Sequence, residues 1–146
     1  MAAISIEEML TKTVKNQKGE DVAVSSFTGS DKVVGLYFSA HWCPPCRQFT
    51  PVLVEFYKKL KTAGKQLEIV FISSDRDEKS FQEYFNTMPW LALDFSLRTE
   101  KESVGQKFGV RGIPTFVLLT GEGEIISKEG RKIVSEDPDG EKFPWK

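Results

Sequence analysis

The sequence predicts an α/β fold, a central mixed β-sheet flanked by helices, on three observations. Two near-continuous β-branched and aromatic runs, residues 33–38 and 67–72, read as strands covered on both faces. An apolar stripe at helical spacing lies between them, which makes a β-α-β unit. A hairpin pattern centred on Gly121-Glu122-Gly123 follows near the end of the chain.

Taken in order, Asn16-Gln17-Lys18-Gly19-Glu20-Asp21 reads as a hairpin turn, and the weak alternation over residues 22–27 as an edge strand. The strand at 33–38 comes next. Phe49, Val52, Leu53, Phe56, Tyr57 and Leu60 then fall on one helical face that ends near Gly64. Pro51 inside this helix removes a backbone donor and predicts a kink. The strand at 67–72 is expected to pair parallel with 33–38, both central in the sheet. Asp75-Arg76-Asp77-Glu78 offers an N-cap and acidic first turn for a helix carrying Phe81, Tyr84, Phe85 and Met88, stopped by Pro89. Thr99-Glu100-Lys101-Glu102 reads as a capping box opening a short helix through Val104 and Phe108, closed by Gly109. Residues 115–120 and 124–128 form the hairpin, for an order β-α-β-α-(α)-β-β. No repeat or linker divides the chain, so residues 1–146 are expected to form a single domain.

The 146 residues are 40% hydrophobic and 28% charged, the profile of an ordinary globular domain with length enough for one good core. With 20 Lys+Arg against 21 Asp+Glu and one His, the chain lacks the basic excess of a phosphate-backbone binder, so no nucleic-acid partner is expected. No apolar run approaches the ~20 residues needed to span a bilayer, so no membrane partner is expected either. Met1-Ala2-Ala3-Ile4-Ser5-Ile6-Glu7-Glu8 carries acid where an export signal has a basic start, and Phe143-Pro144-Trp145-Lys146 matches no retention or prenylation signal. The expected location is cytoplasmic, with nuclear entry left open.

In a reducing compartment, two cysteines this close point to catalysis or metal binding rather than a structural staple. Cys43 and Cys46 stand where the strand at 33–38 runs through Ser39-Ala40-His41-Trp42 into the long helix. A helix N-terminus stabilises a thiolate, so Cys43, expected to be exposed, is the nucleophile toward a target disulfide; Cys46, one turn in, is the resolving thiol. Pro44 and Pro45 have no N–H, so the first amide able to donate to the Cys43 sulfur belongs to Cys46. Fewer donors favour a reductant over a strong oxidant. A structural zinc knuckle is the metal alternative, but zinc wants about four ligands, and His41 is too near in sequence to complete a tetrahedron. No metal or bound organic cofactor is expected. His41 and Arg47 read as solvated side chains, and Trp90 and Trp145 as packing anchors beside prolines.

Trp42-Cys43-Pro44-Pro45-Cys46-Arg47 at a strand-to-helix elbow, with a distant Gly112-Ile113-Pro114-Thr115 before a hairpin, resembles the thioredoxin superfamily over roughly residues 20 to 130. The resemblance implies the thioredoxin fold, a cis Pro114 facing the cysteines, and an Ile113 backbone that pairs with an extended substrate. Trp42 is grouped with Ile113 and Pro114 as substrate-binding. The Trp-Cys-Pro-Pro-Cys motif, Met88-Pro89-Trp90-Leu91-Ala92-Leu93 and Glu136-Asp137-Pro138-Asp139-Gly140 look like the tryparedoxin and nucleoredoxin branch. Thioredoxins carry a buried Asp six residues before the nucleophile; here that position is Tyr37, which makes Tyr37, Ser39 and Asp75 the candidates for a proton relay. Tryparedoxins typically show Trp and then acids after the second strand, where this chain has Ser74-Asp75-Arg76, and Lys32-Val33-Val34-Gly35-Leu36-Tyr37-Phe38 reads more like a nucleoredoxin.

The implied activity is that of a monomeric thiol–disulfide oxidoreductase acting on protein disulfides, with a low-molecular-weight thiol or a reductase as electron donor. The alternatives are a tryparedoxin that passes electrons from trypanothione to peroxidases, and a redox-gated binding module with little turnover.

Overall fold

The computed structural model describes residues 5–145. Residues 1–4 and 146, on which part of the reading of targeting signals rests, lie outside the described residues. In chain order the elements are α1 (Ile6–Leu10), β1 (Thr13–Lys15), β2 (Asp21–Ala23), a 3-10 turn (Val24–Ser26), β3 (Val33–Ser39), α2 (Pro44–Thr62) and β4 (Leu67–Ser73). There follow α3 (Glu78–Phe85), β5 (Leu91–Ala92), α4 (Arg98–Lys107), β6 (Thr115–Thr120), β7 (Ile125–Ser127) and α5 (Gly130–Glu136). The strands form one mixed sheet in the order β2-β1-β5-β4-β3-β6-β7.

β3 and β4 pair in parallel near the middle of the sheet, and every residue of β3 is buried. Its side chains alternate between two cores. Val33 and Tyr37 join Leu53, Phe56 and Leu60 of α2 and Phe81 and Phe85 of α3. Val34, Leu36 and Phe38 join Ile6, Met9 and Leu10 of α1 and Val104 of α4. Helices on both faces explain why the strand reads as a continuous apolar run. Gly35 is required by packing, because a Cβ there would run into the Phe116 ring of β6, the strand antiparallel to β3.

α2 runs unbroken through Pro51 to Thr62 and closes on Gly64, whose φ of +77° suits glycine. The hairpin expected before β3 is present, with Asn16 N bonding Glu20 O across the β1–β2 turn. Four expectations are corrected. The edge strand of residues 22–27 shrinks to Asp21–Ala23, because the chain turns into a 3-10 segment that buries Val24. α3 ends at Phe85, a turn before Met88, and its N-cap is Asp77, whose Oδ1 accepts from Ser80 N at 2.8 Å. α4 begins at Arg98, so Thr99 lies inside the helix rather than capping it, and the N-cap Leu97 makes no side-chain cap bond. β7 is limited to Ile125–Ser127 by a register shift opposite Leu118 and Leu119.

Trp90 is buried against Tyr37 and Tyr57, and Trp145 stacks on Phe56 with its Nε1 donating to the buried Asp137 carboxylate at 2.9 Å. Both act as the expected packing anchors. Among the described residues, no helix is long and apolar enough to cross a membrane.

Candidate functional site

The strand directions assemble the site. β3 and β4 are parallel, so their C-terminal ends, Ser39 and Ser73, meet; β6 is antiparallel to β3, so its first residue, Thr115, starts opposite Phe38. The Cys43 elbow, the loop after β4 and the Ile113–Pro114 segment therefore share one end of the sheet.

Cys43 is the N-cap of α2, with extended backbone at φ −94° and ψ 112°, and its Sγ accepts the Cys46 amide at 3.3 Å. That is the donor left once Pro44 and Pro45 occupy the first helical positions. Both cysteines are free thiols, and Cys46 is fully buried. Cys43 is only 5% exposed, which corrects the expectation of an exposed nucleophile. Ala40, Cys46 and Ile113 pack around it, and its Sγ lies 3.9 Å from the Ile113 carbonyl oxygen. The exposed side chain at the elbow is Trp42, half open to solvent, with Nε1 donating to Ser74 O at 3.1 Å and the Arg76 guanidinium 5.4 Å from its ring. Trp42 and Ile113 line the same hollow beside the elbow.

The Ile113–Pro114 peptide is cis, as the resemblance implied, and the Pro114 carbonyl accepts from Arg131 Nη1 at 3.2 Å. Ile113 is thus packed against Cys43, with Pro114 next to it in the chain and Trp42 lining the same hollow as Ile113. The relay candidates separate. Asp75 is buried, accepting from His41 N at 2.7 Å and Ser73 Oγ at 2.7 Å, so it pins the loop ahead of the motif. Its carboxylate makes no hydrogen bond to either cysteine among the described residues. His41, expected to be solvated, is instead partly buried and stacked on Tyr84 at 5.2 Å, because its backbone is held by Asp75. Arg47 is exposed, as expected.

Tyr37 and Ser39 belong to a buried chain of hydroxyls beneath Cys46. Tyr37 Oη to Thr50 Oγ1, Thr50 Oγ1 to Tyr84 Oη, and Tyr84 Oη to Ser39 Oγ each measure 2.6 Å, and Thr50 Oγ1 also donates to Cys46 O at 2.9 Å. Ser39 ends the chain, and its hydroxyl acts to lower the Cys46 thiol, against the larger opposing effect of burial. Burial first, and then the hydrogen bond to Cys43, push the Cys46 thiol up to about 11. Burial likewise raises Tyr37 and Tyr84 above the ordinary phenol value, so the hydroxyls stay neutral.

Thr50 and Tyr84 were missed in the sequence. Thr50 carried a signal, since it stands four residues after Cys46 on the same helix and so faces the same way. Tyr84 had none, because its spacing fits an apolar stripe and its hydroxyl partner is Ser39, 45 residues away.

A family model described as thioredoxin-like matches residues 30–125. Tryparedoxin of Trypanosoma brucei brucei is 50% identical over 129 residues, 88% of each chain, and the solved structure of tryparedoxin from Trypanosoma brucei superposes with a TM-score of 0.85, covering 93% of this chain and 92% of that one. A solved tryparedoxin II complexed with glutathionylspermidine is 38% identical, with a TM-score of 0.88, over 96% of this chain and 97% of that one. Nucleoredoxin of Mus musculus is 45% identical over 138 residues, 94% of this chain, which spans only 31% of that longer protein. On this family match and these identities, the chain belongs to the thioredoxin-like family of dithiol oxidoreductases, in the branch that holds tryparedoxin and nucleoredoxin.

Proposed function

We propose that this chain reduces protein disulfides, with Cys43 as nucleophile and Cys46 as resolving thiol. The observation that carries the reading is the Cys43 sulfur at the N-cap of α2, held by the Cys46 amide at 3.3 Å, between Ile113 packed against it and the exposed Trp42 before it in the chain. Cys43 thiolate attacks one sulfur of the target disulfide, forming a mixed disulfide and releasing the first target thiolate, which takes a proton from solvent. Cys46 then gives up its proton and attacks Cys43 Sγ. The Cys43–Cys46 disulfide forms as the second target thiolate leaves and is protonated. Two electrons pass to the target, and a low-molecular-weight thiol or a reductase restores the dithiol.

The hydroxyl chain is assigned to the second step. With the Thr50 proton on Cys46 O, both tyrosines donate to Thr50, Tyr84 accepts from Ser39, and Ser39 offers its lone pairs to the Cys46 S–H. When Cys46 ionises, Ser39 turns its proton to the thiolate and Tyr84 turns its own from Thr50 to Ser39, leaving Tyr37 as the donor to Thr50. Tyr37 and Ser39 thereby support the anion where a thioredoxin uses a carboxylate, and Asp75 acts by holding the elbow. Trp42, Ile113 and Pro114 receive the target chain.

A dithiol reductant is kept reduced in a reducing compartment, so the reading carries a cytoplasmic location with nuclear entry left open; it takes the chain as a monomer. The likeness to tryparedoxins supports a second reading, in which a polyamine-linked glutathione feeds the dithiol and a peroxidase receives the electrons. The test is the steady-state reduction of a disulfide-bonded protein by wild type and Cys43→Ser, with dithiothreitol, glutathione, a thioredoxin reductase system or trypanothione as donor. Turnover abolished in Cys43→Ser is expected, with glutathione or the reductase supporting it. Turnover with trypanothione alone selects the second reading, and no turnover with any donor removes both in favour of a redox-gated binding module.

A further inference from the structure

Two basic hollows adjoin the Ile113–Pro114 segment, whose Ile113 packs against Cys43. On the α4 side, a hollow of about 600 Å³ runs from Trp42 past Lys101 and Arg111 to Gly112 and Ile113, and Arg76 lies against the outer face of the Trp42 ring. On the α5 side, a second of about 240 Å³ is bounded by Pro114, Thr115, Lys128, Arg131 and Lys132. The acids among their linings are Glu102 and Glu129, one in each. Asp77, next but one to the buried Asp75, is turned away to cap α3. The whole chain carries −1, so this face is positive against a negative remainder.

Among the described residues, the ion pairs join Lys15 to Asp21 and Asp94, Lys59 to Asp139, and Lys61 to Glu68, and none involves the site face. The guanidiniums are nevertheless positioned: Arg131 bonds the Pro114 carbonyl, Arg98 bonds the Asp75 carbonyl at 3.4 Å, and Arg76 rests on Trp42. Partial burial, and then the neighbouring Arg98, lower the Lys101 ammonium below the usual lysine value, with Glu102 opposing them.

Resting on the reading that this chain reduces protein disulfides, we propose that the face around Cys43 receives an acidic polypeptide segment, with carboxylates on both sides of the target disulfide. A chain crossing Ile113–Pro114 leaves one hollow and enters the other, so both basic patches are engaged only by an extended anion. Held side chains lose little entropy on binding, and steering by a positive cleft raises the encounter rate.

The test compares two disulfide-bonded peptides identical except for acidic or lysine flanks, measuring kcat/KM for each against added sodium chloride, with oxidised glutathione as a third substrate. At low salt the acidic peptide is expected to be reduced about tenfold faster, with the gap closing as salt rises. Arg111→Glu with Lys132→Glu is expected to abolish or reverse the ratio, whereas Lys18→Glu, in the β1–β2 turn, leaves it. Equal rates for the two peptides, or a ratio that the paired reversal does not move, overturn the proposal. If the peptides are equal while glutathione disulfide alone is salt-sensitive, the face serves a small anionic thiol and the polypeptide assignment fails. Failure to reduce either peptide overturns the underlying function as well.

Discussion

A thiol that titrates near 11 is protonated at neutral pH, so Cys46 attacks the mixed disulfide only after losing a proton that burial strongly retains. Titrating the reduced protein by thiolate absorbance is therefore expected to show one cysteine ionising near pH 11, a step absent from Cys46→Ser. The sign for stability follows. The folded value lies above the unfolded value of about 9, so burying this group is without penalty below pH 9 and stability falls as pH rises toward 11. Denaturant midpoints at pH 7.5 and pH 10.5 are expected to differ more for wild type than for Cys46→Ser. Tyr84→Phe leaves Ser39 and Thr50 one partner short, a loss of about 1 kcal/mol of support, or roughly fivefold in the resolution step measured by single-turnover release of the second thiol. Unchanged resolution would remove Tyr84 from the relay. At this scale the cysteines and prolines were legible because their chemistry is set by neighbours in the chain. The 5% exposure of Cys43 was not, since it comes from Ile113, 70 residues away.

β3, α2 and β4 were legible because each has enough periodic positions to declare its type, and both faces of β3 are covered by the helices themselves. α1, β1, β5 and α5 were not. β5 is two residues long and owes its strand state to β4 and β1, and α5 takes its place from packing against β6. The same distance effect shortened the α4 reading, where Thr99 and Glu102 have the spacing of a capping box but the chain enters the helix at Arg98. Element-level energies give two checks. Asp77→Ala removes the bond to Ser80 N and is expected to lower the denaturant midpoint of unfolding. Gly35→Ala drives a methyl into the Phe116 ring and is expected to cost about 1–3 kcal/mol, with the Tyr37–Phe116 edge contact disturbed beside the relay. An alanine tolerated at position 35 would contradict the packing described.

Across the whole molecule, the mixed sheet does two things for the chemistry. It brings the ends of β3 and β4 and the start of β6 together, so that an elbow, an acid-pinned loop and a cis proline meet though they are distant in sequence. It also gathers basic residues near the cysteines that join none of the ion pairs among the described residues. The first was legible from the order of strands and the paired motifs; the second was hidden by a net charge near zero. The central claim is transfer through a mixed disulfide on Cys43, and trapping tests it most directly. Cys46→Ser, mixed with a disulfide-bonded protein and quenched in acid, is predicted to accumulate a one-to-one adduct through Cys43 that dithiothreitol releases and that Cys43→Ser with Cys46→Ser does not form. Partners retained equally by the double variant, with no sulfur linkage, would contradict the account and make this domain a binding module.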